Sequence, residues 1–114
     1  MSELEVQVAV SPDHVGTGDL DGLTVHAVVV NRSDESVDTQ LFRSTLLVDG
    51  ERNQSWGLAI GNGARDAKER ALPPGERVIA RRVMGRALVS APGEHEVVLE
   101  VRGVRSPPAT VVIG

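Results

Sequence analysis

Cysteine and tyrosine are both absent from the 114-residue sequence, which also has only one tryptophan and one phenylalanine. Without cysteine, the chain cannot form disulfides, use a thiol nucleophile or build a thiolate zinc site. Carbohydrate-binding sandwiches normally stack sugars on several aromatic rings, and so few aromatic residues cannot supply that platform. Thiol chemistry and aromatic sugar binding are therefore excluded.

Strong positive charge and long apolar runs are missing as well. The 12 basic side chains stand against 16 acidic ones, which gives a formal net charge of -4 at pH 7. Nucleic acids and anionic membranes attract positive surfaces, so this balance argues against both as main partners. The longest strongly apolar stretch, residues 25–30, is far shorter than the roughly 20 residues of a membrane-spanning helix. Acidic Glu3 and Glu5 stand where a secretory signal would be positively charged, so we expect a cytoplasmic protein.

Valine is the most prominent residue that the chain does contain. Hydrophobic residues make up 40% of the sequence and charged residues 25%, which is enough for a folded core. The length predicts a single domain over residues 1–114. Arginine is abundant while Lys68 is the only lysine, and together with frequent alanine, valine and glycine this favours a bacterial source.

Short segments with alternating apolar residues recur along the chain, separated by clusters of glycine, proline, asparagine and aspartate. Period-two alternation predicts β-strands with one buried face, and strands at this spacing are typical of an all-β sandwich or barrel. The predicted strands cover residues 4–10, 23–30, 37–48, 51–56, 77–84, 95–102 and 109–113. An eighth strand over residues 87–90 is compatible with the pattern. The phase of the third segment predicts that Phe42 lies in the core.

The pair Asp49-Gly50 lies between two of these segments. Asp-Gly favours a type I′ hairpin turn, because both central residues of that turn need a positive φ. We therefore expect the chain to reverse here, with residues 51–56 returning as a strand.

Residues 57–71 interrupt the alternation. Glycines make the first half loop-like, whereas residues 64–71 consist of good helix formers and can supply a short helix. The next strand, residues 77–84, alternates poorly and carries Arg77, Arg81 and Arg82, with Arg86 just beyond it. Such charges either protect a sheet edge against aggregation or form a basic strip for an acidic partner. The poor alternation predicts an edge strand or a bulge.

Together these features predict an all-β fold, an immunoglobulin-like two-sheet antiparallel β-sandwich of seven to eight strands. Its strand ends and turns carry a more specific pattern: Val30-Asn31, the phased run before Asp49-Gly50, Leu72-Pro73-Pro74-Gly75, and Pro92-Gly93-Glu94-His95. In these positions, over residues 30–101, the sequence resembles bacterial immunoglobulin-like domains of the CARDB type. The resemblance implies the sandwich fold but no particular activity, because turns and strand phasing report fold.

The sequence is also similar to the bacterial intracellular proteinase-inhibitor family, another small sandwich. That family places a tryptophan soon after the central hairpin and a Leu-x-Pro-Gly-Glu turn before the next strand. Here Trp56 and Leu72-Pro73-Pro74-Gly75-Glu76 occupy these places. This resemblance implies an inhibitor that presents the 57–71 loop to a protease cleft. Such a loop needs to be rigid and extended, and its three glycines count against rigidity.

Motifs for catalysis and metal binding are missing from the sequence. It contains no GxSxG, no phosphate-binding loop ending in GK and no GxGxxG after a strand. His14, His26 and His95 show no short-range ligand spacing, and Asp19-Leu20-Asp21-Gly22 lacks the remaining ligands of a calcium loop. We therefore expect no enzyme activity, no catalytic residue, no metal site and no cofactor.

Binding is the remaining class of function, and loops on a rigid sandwich are where contact residues gather. We expect a non-catalytic protein-interaction module, a monomer or weak homodimer, whose protein partner the sequence does not identify. The predicted contact residues are Trp56, Leu58, Ile60 and Asn62, with Arg81 and Arg82 as a second surface. Two interpretations of Trp56 stay open, an exposed hot spot or a plug between the sheets. The alternatives to a binding module are the proteinase inhibitor and, third, a structural spacer.

Overall fold

A computed structural model describes residues 3–61 and 67–114 of the chain. Their regular elements are short strands, two short α-helices and three turns of 3₁₀-helix, the last at Leu20–Gly22, Leu41–Arg43 and Gly85–Ala87. The elements are β1 (Leu4–Ser11), β2 (His14–Val15), β3 (Thr24–Asn31), β4 (Thr45–Val48), β5 (Glu51–Arg52), α1 (Gln54–Gly61), α2 (Ala67–Arg70), β6 (Arg77–Val83), β7 (Gly93–Val101), β8 (Val104–Arg105) and β9 (Ala109–Ile113).

The strands form two sheets that pack against each other. One sheet has the order β1-β3-β6, and the other has the order β2-β9-β7-β4-β5 with β8 paired to β7. All these pairings are antiparallel except that of β2 with β9, which is parallel. The predicted all-β, two-sheet sandwich is confirmed. The described residues contain nine strands rather than seven or eight, because β2 and β8 are two-residue strands that alternation does not reveal.

The core lies between the two sheets, and alternation decides which side chains enter it. On β3, Val25, Ala27 and Val29 are fully buried. On β7, Val97 and Leu99 are fully buried, as the alternation predicts. Successive side chains of a strand point to opposite faces, so alternate apolar residues form one apolar face on each sheet, and the two apolar faces pack together.

The turn at Asp49-Gly50 is the predicted hairpin. Asp49 has a φ of 53° and Gly50 a φ of 83°, so both central residues have the positive φ that a type I′ turn requires. Val48 pairs with Glu51 across the turn. The chain therefore reverses where the sequence predicts.

The strand expected over residues 37–48 is wrong in its first half. Gln40 adopts a left-handed conformation with a φ of 53°, and a 3₁₀-helix follows at Leu41–Arg43, so strand β4 begins only at Thr45. This turn changes the phase of the side chains. Phe42 is consequently half-buried at the surface, and its predicted place in the core is wrong.

Two further strand predictions fail beside the hairpin. The expected strand over residues 51–56 ends at Arg52, because helix α1 begins at Gln54. The helix continues to Gly61, through residues that were expected to form a loop. Residues 87–90 form no strand, since a 3₁₀-helix occupies Gly85–Ala87. The short helix expected within residues 64–71 corresponds to α2, whose four residues lie in that span. Among the described residues, no helix combines the length and the apolar character needed to cross a membrane.

Strand β6 lies at the edge of the three-stranded sheet, as its poor alternation predicts. Val78 and Ala80 face the core, whereas Ile79 and Val83 are exposed on the outer face. Exposed Arg77 and Arg81 alternate with these two residues along the strand, and charges at a sheet edge oppose pairing with another chain.

Candidate functional site

Helix α1 is held in place by Asn53, the residue immediately before it. The Asn53 side-chain oxygen accepts a hydrogen bond of 2.9 Å from the backbone N–H of Trp56, which is the geometry of an N-cap. Its side-chain nitrogen donates to the backbone carbonyls of Ala87 and Leu88, at 2.9 Å and 3.1 Å. One side chain therefore begins the helix and ties it to the connection between β6 and β7.

Trp56 lies on the inner face of α1 with 0% of its surface exposed. Its indole N–H donates a 2.9 Å hydrogen bond to the hydroxyl of buried Ser44. Ile60, one helical turn later, is also buried, because residues four apart share a helix face. The interpretation of Trp56 as an exposed hot spot is wrong, and so is the expectation that Ile60 presents its side chain at the surface. Both side chains anchor the helix to the sandwich.

Leu58 is the predicted contact residue that α1 does present to solvent, with 72% of its surface exposed. It borders an open groove of about 410 Å³ between the helix, the 3₁₀-turn before β4 and strand β5. The groove is lined by Phe42, Arg43, Ser44, Arg52, Gln54, Gly57 and Leu58. Asn62, also a predicted contact residue, lies outside the described residues.

The charged residues that line the groove are all positive. Its lining includes Arg43 and Arg52 but no aspartate or glutamate. The Arg43 guanidinium lies over the Phe42 ring, 5.3 Å from its centroid, which is a cation–π contact. Within residues 3–61 and 67–114, neither arginine forms an ion pair. Sequence reasoning missed Phe42, Arg43 and Arg52, because only the hairpin and the unforeseen helix bring them beside Leu58.

Arg81 and Arg82, the predicted second surface, point in different directions. Arg81 is exposed on β6, where it is paired with His26 on β3. Arg82 is partly buried, and its guanidinium donates to the Ala59 carbonyl at 3.2 Å and to the Arg81 carbonyl at 2.9 Å. The Arg82 side chain therefore joins α1 to the edge of the sheet and occupies a carbonyl that an added strand would use. This arrangement agrees with the edge-protecting interpretation.

A serine and a histidine meet on the outer face of the three-stranded sheet. The Ser11 hydroxyl lies 2.8 Å from Nε2 of His26. In the part of the chain that the structure describes, no carboxylate hydrogen-bonds to His26, whereas a catalytic histidine is normally oriented by a third group. The pair is a polar surface contact without the orientation that nucleophilic catalysis needs.

His95 forms a second polar pair, with Asp49 of the hairpin turn. Its Nδ1 lies 2.6 Å from the Asp49 carboxylate, and its Nε2 lies 2.7 Å from the Ala91 carbonyl. The Asp49 carboxylate and then the Ala91 carbonyl raise the pKa of His95, although burial opposes the shift. The same contact with His95, together with the Glu96 N–H, lowers the pKa of Asp49. Both ring nitrogens face acceptors, so the charged imidazolium satisfies both and acts as a structural clamp.

A metal centre is not assembled by the residues that the structure describes. Over residues 3–61 and 67–114, no three histidine, aspartate or glutamate side chains come close enough to hold an ion. The acidic turn around Asp19 and Asp21 lies within these residues and forms no such cluster. Arg86 approaches Asp21 to 3.7 Å there, which is a surface ion pair.

Solved structures with the same fold belong to proteins of different kinds. The CARDB domain of a Pyrococcus furiosus protein, determined in complex with di-metal ions, has a TM-score of 0.56 and 16% identity. The match covers 99% of this chain and 96% of that domain's chain. An alkylpurine DNA glycosylase of Pseudomonas fluorescens, bound to DNA containing an abasic site analog, has a TM-score of 0.58 and 18% identity. A β-glucosidase of Listeria innocua, in complex with isofagomine, has a TM-score of 0.50 and 17% identity.

The chain matches the CARDB domain along its whole length but only a part of either enzyme. It spans 31% of the glycosylase chain and 16% of the glucosidase chain. No family model matches the sequence, and no curated protein is significantly similar to it. These comparisons show the fold, that of a small CARDB-like β-sandwich. The similarity to proteinase inhibitors finds no support among them.

Proposed function

We propose that this sandwich is a non-catalytic protein-binding module and that it contacts its partner through the outer face of α1. The observation that carries the proposal is Leu58, a large apolar side chain 72% exposed on a helix whose inner face is fixed by Trp56 and Ile60. Binding residues gather on surface segments that a rigid scaffold positions, and removal of apolar surface from water favours association. The helix loses little conformational freedom on binding, which favours affinity.

The chemistry of the described residues supports binding rather than catalysis. The Ser11–His26 pair lacks an orienting carboxylate, and both nitrogens of His95 are engaged in structural hydrogen bonds. The net charge of -4 supports a protein partner over nucleic acid or an anionic membrane. We place the module in the cytoplasm and treat residues 1–114 as one domain, as the sequence predicts.

A matched pair of surface variants tests the proposal. Leu58→Ser and Val83→Ser each remove a large side chain that is exposed, by 72% and 67% respectively, but from different faces. Both should leave the free energy of unfolding within about 0.5 kcal/mol of the parent chain. We expect proteins captured from host lysate to be lost with Leu58→Ser and retained with Val83→Ser, as measured by quantitative mass spectrometry. Equal capture by the parent and by Leu58→Ser would overturn the proposal.

The proteinase inhibitor and the spacer are separate outcomes of these measurements. Residues Gln54–Gly61 are helical, whereas an inhibitory loop presents an extended backbone to the protease cleft. A binding module leaves serine protease activity unchanged when the pure domain is titrated in, while an inhibitor lowers it stoichiometrically. A spacer retains no partner in the capture experiment, whichever variant is used.

A further inference from the structure

We propose that the groove beside α1 binds an acidic segment of a partner protein, one in which a large apolar side chain is flanked by aspartate or glutamate. This inference rests on the proposed binding function and names the chemistry of the partner. Three observations carry it: the apolar surface of Leu58 and Phe42, the two arginines of the lining, and the lack of acidic residues there.

The apolar part of the groove is contributed by two elements. Exposed Leu58 of the helix and half-buried Phe42 of the 3₁₀-turn before β4 both line it. The open groove, with a volume of about 410 Å³, has room for a ligand of several groups rather than a single ion. An aliphatic or aromatic side chain placed between Leu58 and Phe42 would remove apolar surface of both from water.

The polar part of the groove suits carboxylates. The Arg43 guanidinium lies over the Phe42 ring, 5.3 Å from its centroid, and an arginine that contacts an aromatic face can still pair with a carboxylate through its planar N–H groups. Arg52, from β5, is exposed and has no ion pair within the described ranges. Arginine pairs with carboxylates through two parallel hydrogen bonds, which provides geometry as well as charge.

An acidic protein segment fits this site better than nucleic acid does. Nucleic-acid surfaces combine many basic residues over a wide area, whereas this groove has two arginines in a chain of net charge -4. Phe42 is the only aromatic residue of the lining and its ring already carries the Arg43 guanidinium, whereas single-stranded nucleic acid stacks successive bases on aromatic rings. The positive charge here is local, which is what an electrostatically complementary protein contact requires.

Selection from a displayed library of random peptides tests the inference directly. We expect the full chain to enrich peptides with aspartate or glutamate on either side of leucine, isoleucine, methionine or phenylalanine. The double variant Arg43→Glu, Arg52→Glu should lose at least about tenfold in affinity for these peptides and should enrich lysine- and arginine-rich peptides instead. The matched control Arg77→Glu, Arg81→Glu makes the same change of charge on two exposed arginines of β6, and it should keep the acidic consensus.

The outcomes separate this inference from the proposed function. If Leu58→Ser abolishes protein capture but the groove variant changes neither capture nor the enriched consensus, the acidic partner is wrong and the binding module stands. If Leu58→Ser changes nothing, both fail. Binding of a fluorescent oligothymidine that requires Arg43 and Arg52, without enrichment of acidic peptides, would assign the groove to nucleic acid and overturn the inference. Melting curves of every variant confirm that the fold is retained.

Discussion

Nδ1 of His95 and Oδ2 of Asp49 lie 2.6 Å apart and join the start of β7 to the hairpin turn between β4 and β5. The Asp49 carboxylate also accepts the Glu96 N–H at 2.9 Å, while the opposite ring nitrogen of His95 lies against the Ala91 carbonyl. The imidazole therefore joins the hairpin turn to the turn that leads into β7. The His95 side chain is only 11% exposed, so the charged ring depends on these partners for stabilisation.

This clamp predicts that stability depends on pH. The pKa of His95 is raised in the folded chain, so its contribution is complete below the unfolded value of about 6.5 and is lost as pH rises through the folded value. The pKa of Asp49 is lowered from the ordinary value of 3.8, so its contribution is present above that value and is lost as pH falls through the folded value. Urea unfolding followed by circular dichroism should show a maximum between these limits. The control His95→Gln should lack the fall on the alkaline side, and an unchanged fall would contradict this origin.

Removal of the Trp56 side chain should destabilise the fold severely. The residue is fully buried and its indole N–H is satisfied by Ser44. Trp56→Ala leaves a large cavity and should reduce the free energy of unfolding by about 3–5 kcal/mol. Ser44→Ala keeps the packing but leaves the buried indole N–H without its hydrogen-bond acceptor, which should cost about 1–3 kcal/mol. Thermal unfolding measures both, and a cooperative, unshifted melting curve for Trp56→Ala would place the indole outside the core.

The two functions of Asn53 can be separated by substitution. Asn53→Ala removes the cap of α1, with an expected loss of about 0.5–2 kcal/mol, and also the hydrogen bonds to the Ala87 and Leu88 carbonyls. Asn53→Asp keeps an acceptor for the Trp56 N–H and loses only the two donated bonds. Hydrogen exchange should therefore accelerate at the Trp56 amide in Asn53→Ala and stay slow in Asn53→Asp. Equal exchange in both variants would show that the cap does not hold the helix.

Alanine should have opposite effects at two glycines that are seven positions apart. Gly50 has a φ of 83° in the hairpin turn, so Gly50→Ala should cost about 1–2 kcal/mol through left-handed strain. Gly57 lies within α1, and a β-carbon there meets nothing within 4 Å. Gly57→Ala should stabilise the fold by about 0.5–1 kcal/mol. Chemical unfolding midpoints measure the signs, and the same sign at both positions would contradict the assigned backbone conformations.

Alternation predicted the elements whose stability comes from burying one face of a sheet. Strands β3 and β7 and the turn at Asp49-Gly50 follow from local sequence. Helix α1 does not, because two of its eight residues, Gly57 and Gly61, are glycine, which lowers its intrinsic helix propensity. It forms since Trp56 and Ile60 find a place in the core, and tertiary packing of this kind overrides local preference.

The candidate groove could be predicted only in part for the same reason. Leu58 is a contact candidate from sequence, but its neighbours depend on where the helix docks. Arg43 and Phe42 belong to a segment that looks like a regular strand until Gln40 takes a left-handed conformation. The change of phase that exposes Phe42 is a property of the folded backbone and leaves no signal in the apolar pattern.

The parallel pairing of β2 with β9 has a mechanical consequence. The backbone N–H of Val112 donates to the Asp13 carbonyl at 2.8 Å and that of Gly114 donates to the Val15 carbonyl at 2.9 Å, so the last strand is joined directly to the segment that follows β1. Because β2 and β9 are parallel, tension applied between Asp13 and Gly114 draws the two strands in opposite directions along their length. The hydrogen bonds between them are then loaded together in shear instead of opening one after another.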